Sequence, residues 1–312
     1  DEVVDFISYW SARTQLPRKE ILHWLSMSTS TFYSWKERYN QPNRHGGEVP
    51  KCHWIIDGER EAITAYYLGH QEEGYRRLTY MMLDEDVAAV SASTTYRVLK
   101  KAGYLNKWAH SPSRKGTGFN QPKKPHAHWH IDLAYVNIRS TFYYLCSILD
   151  GYSRAIVHWE LRERMKESDV EIVLQRAREK FVDVYPRIIS DNGPQFTARD
   201  FKLFLRQKGM DHVRTSPYYP QSNGKKERYF KTLKKECIRP KTPLTLEEAR
   251  RVIDQFVHHY NHERLHSAIG YVAPMDKLYG RDGQIFIERN RKLETARQQR
   301  EQLWSERLRQ AA

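Results

Sequence analysis

The sequence predicts an α/β fold: a mixed five-stranded sheet with helices, preceded and followed by all-helical segments. Three observations predict it. From His128 the residues alternate or run apolar as strands do. After that meander, helix-like and strand-like stretches take turns up to residue 238. Outside residues 126–240 the apolar spacing is helical.

Taken in order, residues 1–40 read as short helices. One covers 16–25, and Ser28-Thr29-Ser30 caps a second over 31–38, the shape of a helix-turn-helix. Residues 41–54 hold Pro42, Gly46, Gly47 and Pro50 and read as a linker. Residues 55–105 form a second helical domain, with helices over 59–68 and 75–83. Its third helix, in "SASTTYRVLKKAGY" (91–104), stops at Gly103. Arg97, Lys100 and Lys101 make this last helix basic, as in a helix-turn-helix that meets DNA. Residues 106–125 form a basic linker in which Arg114, Lys115, Lys123 and Lys124 stand among Gly, Ser and Pro. It either lies along phosphates or simply keeps two domains apart.

Residues 126–240 are the sheet domain. "HWHIDLAYVNI" (128–138), "TFYYLCSILD" (141–150) and "AIVHWEL" (155–161) form an antiparallel meander, turning at Arg139-Ser140 and Asp150-Gly151. Then come a helix over 168–182, a strand over 186–190, a helix over 198–208 capped near Thr197, and a strand over 211–216. A loop over 216–224 leads to a helix over 225–238. That order matches a ribonuclease-H-like fold. Residues 241–280 open with a long helix over 245–264, and residues 281–312 end in a basic helix.

Composition narrows the function. The 312 residues are 39% hydrophobic and 12% aromatic, enough for more than one core. The formal net charge of +14 points to a polyanionic partner, and nucleic acid is the natural one. No run of 18 apolar residues exists, so no membrane span is expected. The chain opens on Asp1-Glu2 without Met and without the basic start of a signal peptide, so an upstream piece is expected. Cys52, Cys146 and Cys237 are odd in number and far apart, which suits a reducing cytoplasm and supports neither disulfides nor a cysteine zinc site.

Three carboxylates stand out. Asp132 interrupts an apolar, aromatic strand, where a charge is costly unless paired or metal-bound. Asp191 ends the fourth strand, just before "NGP", a turn into a helix. Glu227 opens a helix after a loop. The first and fourth strands of such a sheet are usually neighbours, so the three are expected to converge. Carboxylates without a competing cysteine or histidine set form a hard oxygen site, suited to two Mg²⁺ or Mn²⁺ ions acting on a phosphodiester. Asp150 in its turn reads as structural, and Glu163, Glu167, Asp169 and Glu171 read as solvated.

Asp132, Asp191 and Glu227 match the DDE triad of retroviral-integrase-like transposases, with 35 residues between the last two. "SDNGPQF", "SPYYPQSNGKKERYFKTLKKE" and "YNHERLHSAIGYVAP" are similar to the IS-three family of insertion-sequence transposases. "EGYRRLTYMM" with "VSASTTYRVLKKAGY" resembles the helical domain before the catalytic core in that family. The resemblance spans roughly residues 55–280. It implies a DNA transposase that nicks element ends and joins strands, works as a dimer or larger on DNA, and resides in the bacterial cytoplasm at the nucleoid. Lys234, seven residues after Glu227, matches the family's basic residue on that helix. Lys225, Lys226, Arg228, Lys231 and Lys234, with Lys235, are expected to hold phosphates, and Tyr218, Tyr219 and Gln221 to touch terminal nucleotides. Tyr219 stands where many relatives carry histidine, and the zinc module of retroviral integrases is missing. A DNA-binding regulator that does not cut, and a nuclease that does not join, are the rival readings.

Overall fold

The structure, a computed structural model, describes residues 1–41, 54–105, 121–215 and 224–311. The chain divides into two compact units, one of Asp1–Trp54 with Leu303–Ala312, the other of Ile55–Gln302. In the first, α1 (Glu2–Thr14), α2 (Arg18–Trp24) and α3 (Thr29–Glu37) bury Val4, Ile7, Ile21, Leu22 and Phe32 together. Ser28 caps α3 as expected, its Oγ accepting the Thr31 N–H at 3.1 Å.

The second unit begins with α4 (Asp57–Gly69), α5 (Tyr75–Asp84) and α6 (Ala92–Lys101), closed around Ile63, Leu78, Met82 and Leu99. The sheet follows: β1 (His128–Ile138), β2 (Thr141–Asp150), β3 (Ile156–Arg162), β4 (Arg187–Ser190) and β5 (His212–Arg214). Its order is β3-β2-β1-β4-β5. The first three strands are antiparallel, and β4 runs parallel to β1 and β5 to β4. This is the ribonuclease-H-like arrangement that the order of elements predicts. Arg139 and Ser140 both take positive φ, 47° and 65°, as a two-residue hairpin turn requires.

Side chains alternate across β1, and the alternation divides the core. Trp129 and Ile131 face α7 (Glu167–Lys180), the short α8 (Pro194–Thr197) and α9 (Arg199–Gln207). Ala134, Val136 and Ile138 face α10 (Gly224–Leu233) and α12 (Leu246–His262).

Three local expectations change. The N-terminus of α9 is satisfied from outside: Glu167 Oε1 on α7 accepts the Phe201 N–H at 2.7 Å, while the cap position itself is Ala198. Glu167 is therefore not a solvated acid. Nor is Asp169, which accepts the Lys166 N–H at 2.8 Å and pairs with Arg162 at 2.5 Å. The helix after Glu227 does not run uniformly to 238, because residues Lys234–Ile238 widen into a π-helical turn before α11 (Arg239–Lys241). Pro240 supplies a reason: without an N–H, and with its ring against the carbonyl four residues back, it disfavours regular α-helix there.

A 3₁₀ turn at Ser267–Ile269 and α13 (Pro274–Leu278) lead into α14 (Asp282–Ala311). Within the second unit α14 is a strap rather than a free basic helix. Arg289 meets Asp84 at 2.7 and 2.6 Å, Lys292 meets Asp86 at 2.7 Å, and Arg300 meets Glu59 at 2.7 Å. Among the described residues no helix is long and apolar enough to cross a membrane.

Candidate functional site

Asp132 sits inside β1 with 7% of its surface exposed, its Oδ1 accepting the Leu133 N–H at 2.8 Å. Asp191 follows the last residue of β4 directly. In the parallel pairing of the two strands His130 stands opposite Ile189, so that register, carried two residues on, sets Asp191, just past the end of β4, level with Asp132. The "DNGP" turn shapes the second position. Asp191 Oδ1 accepts the Gly193 N–H at 2.9 Å, and Asn192 Nδ2 donates to Thr215 O at 2.8 Å beyond β5. A Cβ at residue 193 would lie 3.1 Å from that same Oδ1, which is why glycine suits the turn. Pro194 then opens α8, so "NG" is no hairpin here.

Glu227 lies exposed in the first turn of α10, the helix that covers the Ala134 face of β1. It lines an open groove of ≈ 570 Å³ with Leu133, Tyr135, Lys231, Lys234, Lys235 and Arg239. Among the described residues no three His, Cys, Asp or Glu side chains are close enough to share an ion. Asp132, Asp191 and Glu227 are thus not a preformed cage: Asp132 is buried in the sheet, whereas Glu227 points along the exposed side of its helix. The chemistry of the residues still fits a hard divalent cation, since Asp132 on β1 and Asp191 just past the end of the neighbouring parallel β4 both offer carboxylate oxygens.

The basic residues on α10 divide into two kinds. Arg228, Lys231, Lys234 and Lys235 are exposed. Lys226 corrects the expectation, because it is wholly buried and cannot face a phosphate. Its Nζ donates to Ser147 O and Ser147 Oγ, both at 2.6 Å, and Ser147 is the partner of Asp132 across β1 and β2. The ammonium also lies 5.3 and 4.8 Å from the Tyr229 and Phe230 ring centres. Burial pulls its pKa down to about 8, against the pull of Asp132. Helical phase exposes this in hindsight: residues 226, 230, 233 and 237 fall on one stripe, and all are buried. Lys225 is half-buried and donates to Gly151 O at 3.0 Å; burial, then Arg154, lowers it to about 7.

Elsewhere, Arg97, Lys100 and Lys101 are exposed on α6, with Lys100 Nζ 5.8 Å from the Tyr96 ring centre. Lys123 and Lys124 are exposed before β1. Arg114, Lys115, Tyr218, Tyr219 and Gln221 lie outside the described residues. Asp150 is structural as expected, accepting N–H bonds from His126, Tyr152 and Ser153 and the Ser153 hydroxyl.

Residues 122–220 match the family model described as integrase core domain, and residues 208–274 match a second model of the same description. The chain is 29% identical over 175 residues to the transposase for insertion sequence element IS904 of Lactococcus lactis, covering 53% of this chain and 69% of that one. It is 34% identical over 137 residues to the insertion element IS136 uncharacterized protein of Agrobacterium fabrum, covering 42% of this chain and 70% of that one. Among solved structures, the HTLV-2 integrase catalytic core domain in complex with magnesium aligns with a TM-score of 0.40 at 16% identity, over 50% of this chain and 97% of that one.

Proposed function

Because this chain belongs to the integrase-core family of insertion-element transposases, we propose that it cuts and joins DNA at the ends of a mobile element. The observation that carries the reading is the parallel pairing of β1 and β4, whose register sets Asp191 beside Asp132, next to a helix that carries Glu227 and a ridge of exposed cations.

Asp132, Asp191 and Glu227 would hold Mg²⁺ or Mn²⁺, which when bound offset the charge of a phosphodiester and ease deprotonation of an attacking oxygen. The chain's own residues do the rest. Lys231 and Lys234 hold backbone phosphates beside Glu227, and Arg97, Lys100 and Lys101 meet DNA through the helical domain. In the first step a water oxygen bonds to phosphorus as the bond to the 3′ oxygen breaks, leaving a 3′-hydroxyl. In the second, that hydroxyl attacks another phosphodiester and displaces its 3′ oxygen. No covalent protein–DNA intermediate forms. Joining requires two ends held together, so the active species on DNA is a dimer or larger.

One other reading, a DNA binder that does not cut, is favoured by the finding that among the described residues no three His, Cys, Asp or Glu side chains group as a metal site. A strand-transfer assay on labelled end DNA separates the two, and separates both from a nuclease that cuts without joining. Asp132→Asn and Asp191→Asn should each lower nicking and joining by at least about 10²–10³-fold while duplex binding persists. Full joining by Asp191→Asn would end the catalytic assignment.

A further inference from the structure

A second cleft lies on the other side of the α10 ridge. It has a volume of ≈ 240 Å³, and five cationic side chains line it: Arg77 from α5, Arg228, Lys231 and Lys235 from the Glu227 helix and its π turn, and Arg264 after α12. One carboxylate, Glu236, opposes them. Two of the cations are built into the wall. Arg77 pairs with Glu73 and donates from Nε to Leu265 O at 2.9 Å. Arg264, its side chain only 9% exposed, grips Glu236 with both ends of its guanidinium at 2.8 and 2.7 Å. Arg228, Lys231 and Lys235 are exposed, and among the described residues no ion pair claims them. Excess positive charge therefore gathers where three separate segments meet.

His266 adds a neutral donor. Its Nδ1 accepts the Ala268 N–H at 3.2 Å, so the ring proton sits on Nε2. Burial and the surrounding arginines hold this ring neutral, its pKa lowered to about 3. A concave site with fixed guanidinium walls, free cations and one neutral N–H matches a phosphate better than a carboxylic acid or an apolar ligand. Lys231 and Lys235 line this cleft and also the groove beside Glu227. A nucleic-acid strand lying along that ridge meets both.

We propose that the Arg77–Arg228–Arg264 cleft binds a DNA backbone phosphate, clamping one strand between the helical domain and the helix that carries Glu227. This rests on the DNA-processing reading above and gives it a contact that spans α5 and α10. The clamp sets register and carries no sequence information, as phosphate contacts do.

The test uses the full chain and a fluorescein-labelled duplex of mixed sequence, read by anisotropy from low to physiological ionic strength. Arg77→Gln, Arg228→Gln and Lys235→Gln should each weaken binding several-fold. The Arg77→Gln/Arg228→Gln double variant should lose less than the sum of its singles, because both hold one phosphate. Its slope of log affinity against log salt should be shallower by about 1. Arg206→Gln, on α9 across the sheet, should keep the wild-type slope. Melting temperatures report folding; should Arg77→Gln melt early, Arg228→Gln and Lys235→Gln carry the result. Wild-type affinity and slope in those two variants, or an equal loss in Arg206→Gln, would overturn the clamp alone. A wild-type chain that fails to bind the duplex would overturn the DNA reading and the clamp together.

Discussion

At the scale of single residues, Lys226 and Glu227 show how one step along a helix separates two roles. Lys226 turns inward to Ser147, and Glu227 turns outward to the basic groove. The buried ammonium answers part of the negative charge of Asp132. Lys226→Met keeps the volume and removes that charge. In a thermal-shift titration with Mg²⁺, the variant should respond at a several-fold lower concentration than the wild type, since a competing cation is gone. An unchanged midpoint would show that Lys226 only anchors the helix. Lys226 was legible as a basic residue of α10 but not as a buried one. Charge is read from the residue type, whereas burial depends on which stripe of the helix the sheet covers.

At the scale of elements, α12 is fastened to the edge of the sheet by one side chain. Asn261 Oδ1 accepts the Ile156 N–H at 2.8 Å and Nδ2 donates to Ile156 O at 3.0 Å, all of it buried. Arg250 adds two bonds to Leu161 O at 3.1 and 2.9 Å. Together they satisfy part of the outer edge of β3, which among the described residues is an end strand of the sheet. Asn261→Ala leaves both groups of Ile156 buried and unpaired. It should cost about 1–3 kcal/mol, read as a lower melting temperature with little change in duplex affinity. The five strands and the helix over 245–264 were legible from periodicity. The Glu167 cap and the Asn261 clasp were not, because their partners stand 34 and 105 residues away in the chain.

At the scale of the whole molecule, burial governs the response to acid. It holds His126, His128, His158, His212 and His266 below the usual histidine range, the last at about 3. Below the unfolded value of about 6.5 the unfolded chain therefore binds more protons than the folded one, and stability falls as pH falls. Melting temperature should decline steadily from pH 6.5 to about 5, before most carboxylates titrate. His266→Asn should flatten part of that decline. A melting temperature level across this window would refute the account. The strap formed by α14 also belongs to this scale. Phe286 passes so close to Gly270, at φ 84°, that a Cβ there would meet its ring at 2.7 Å.

The sequence by itself determined the order of strands and helices, the three carboxylates and the basic character of the helix after residue 224. Each of these is written in local periodicity, turn chemistry or residue type. Only the tertiary structure decided that Lys226 is an interior cation, that Arg77 and Arg264 share a cleft with the Glu227 helix, and that the C-terminal helix ties back to α5. The physical reason is distance along the chain. Arg77 reaches Leu265 across 188 residues and Arg289 reaches Asp84 across 205, and no local pattern encodes which distant groups the packed fold brings face to face.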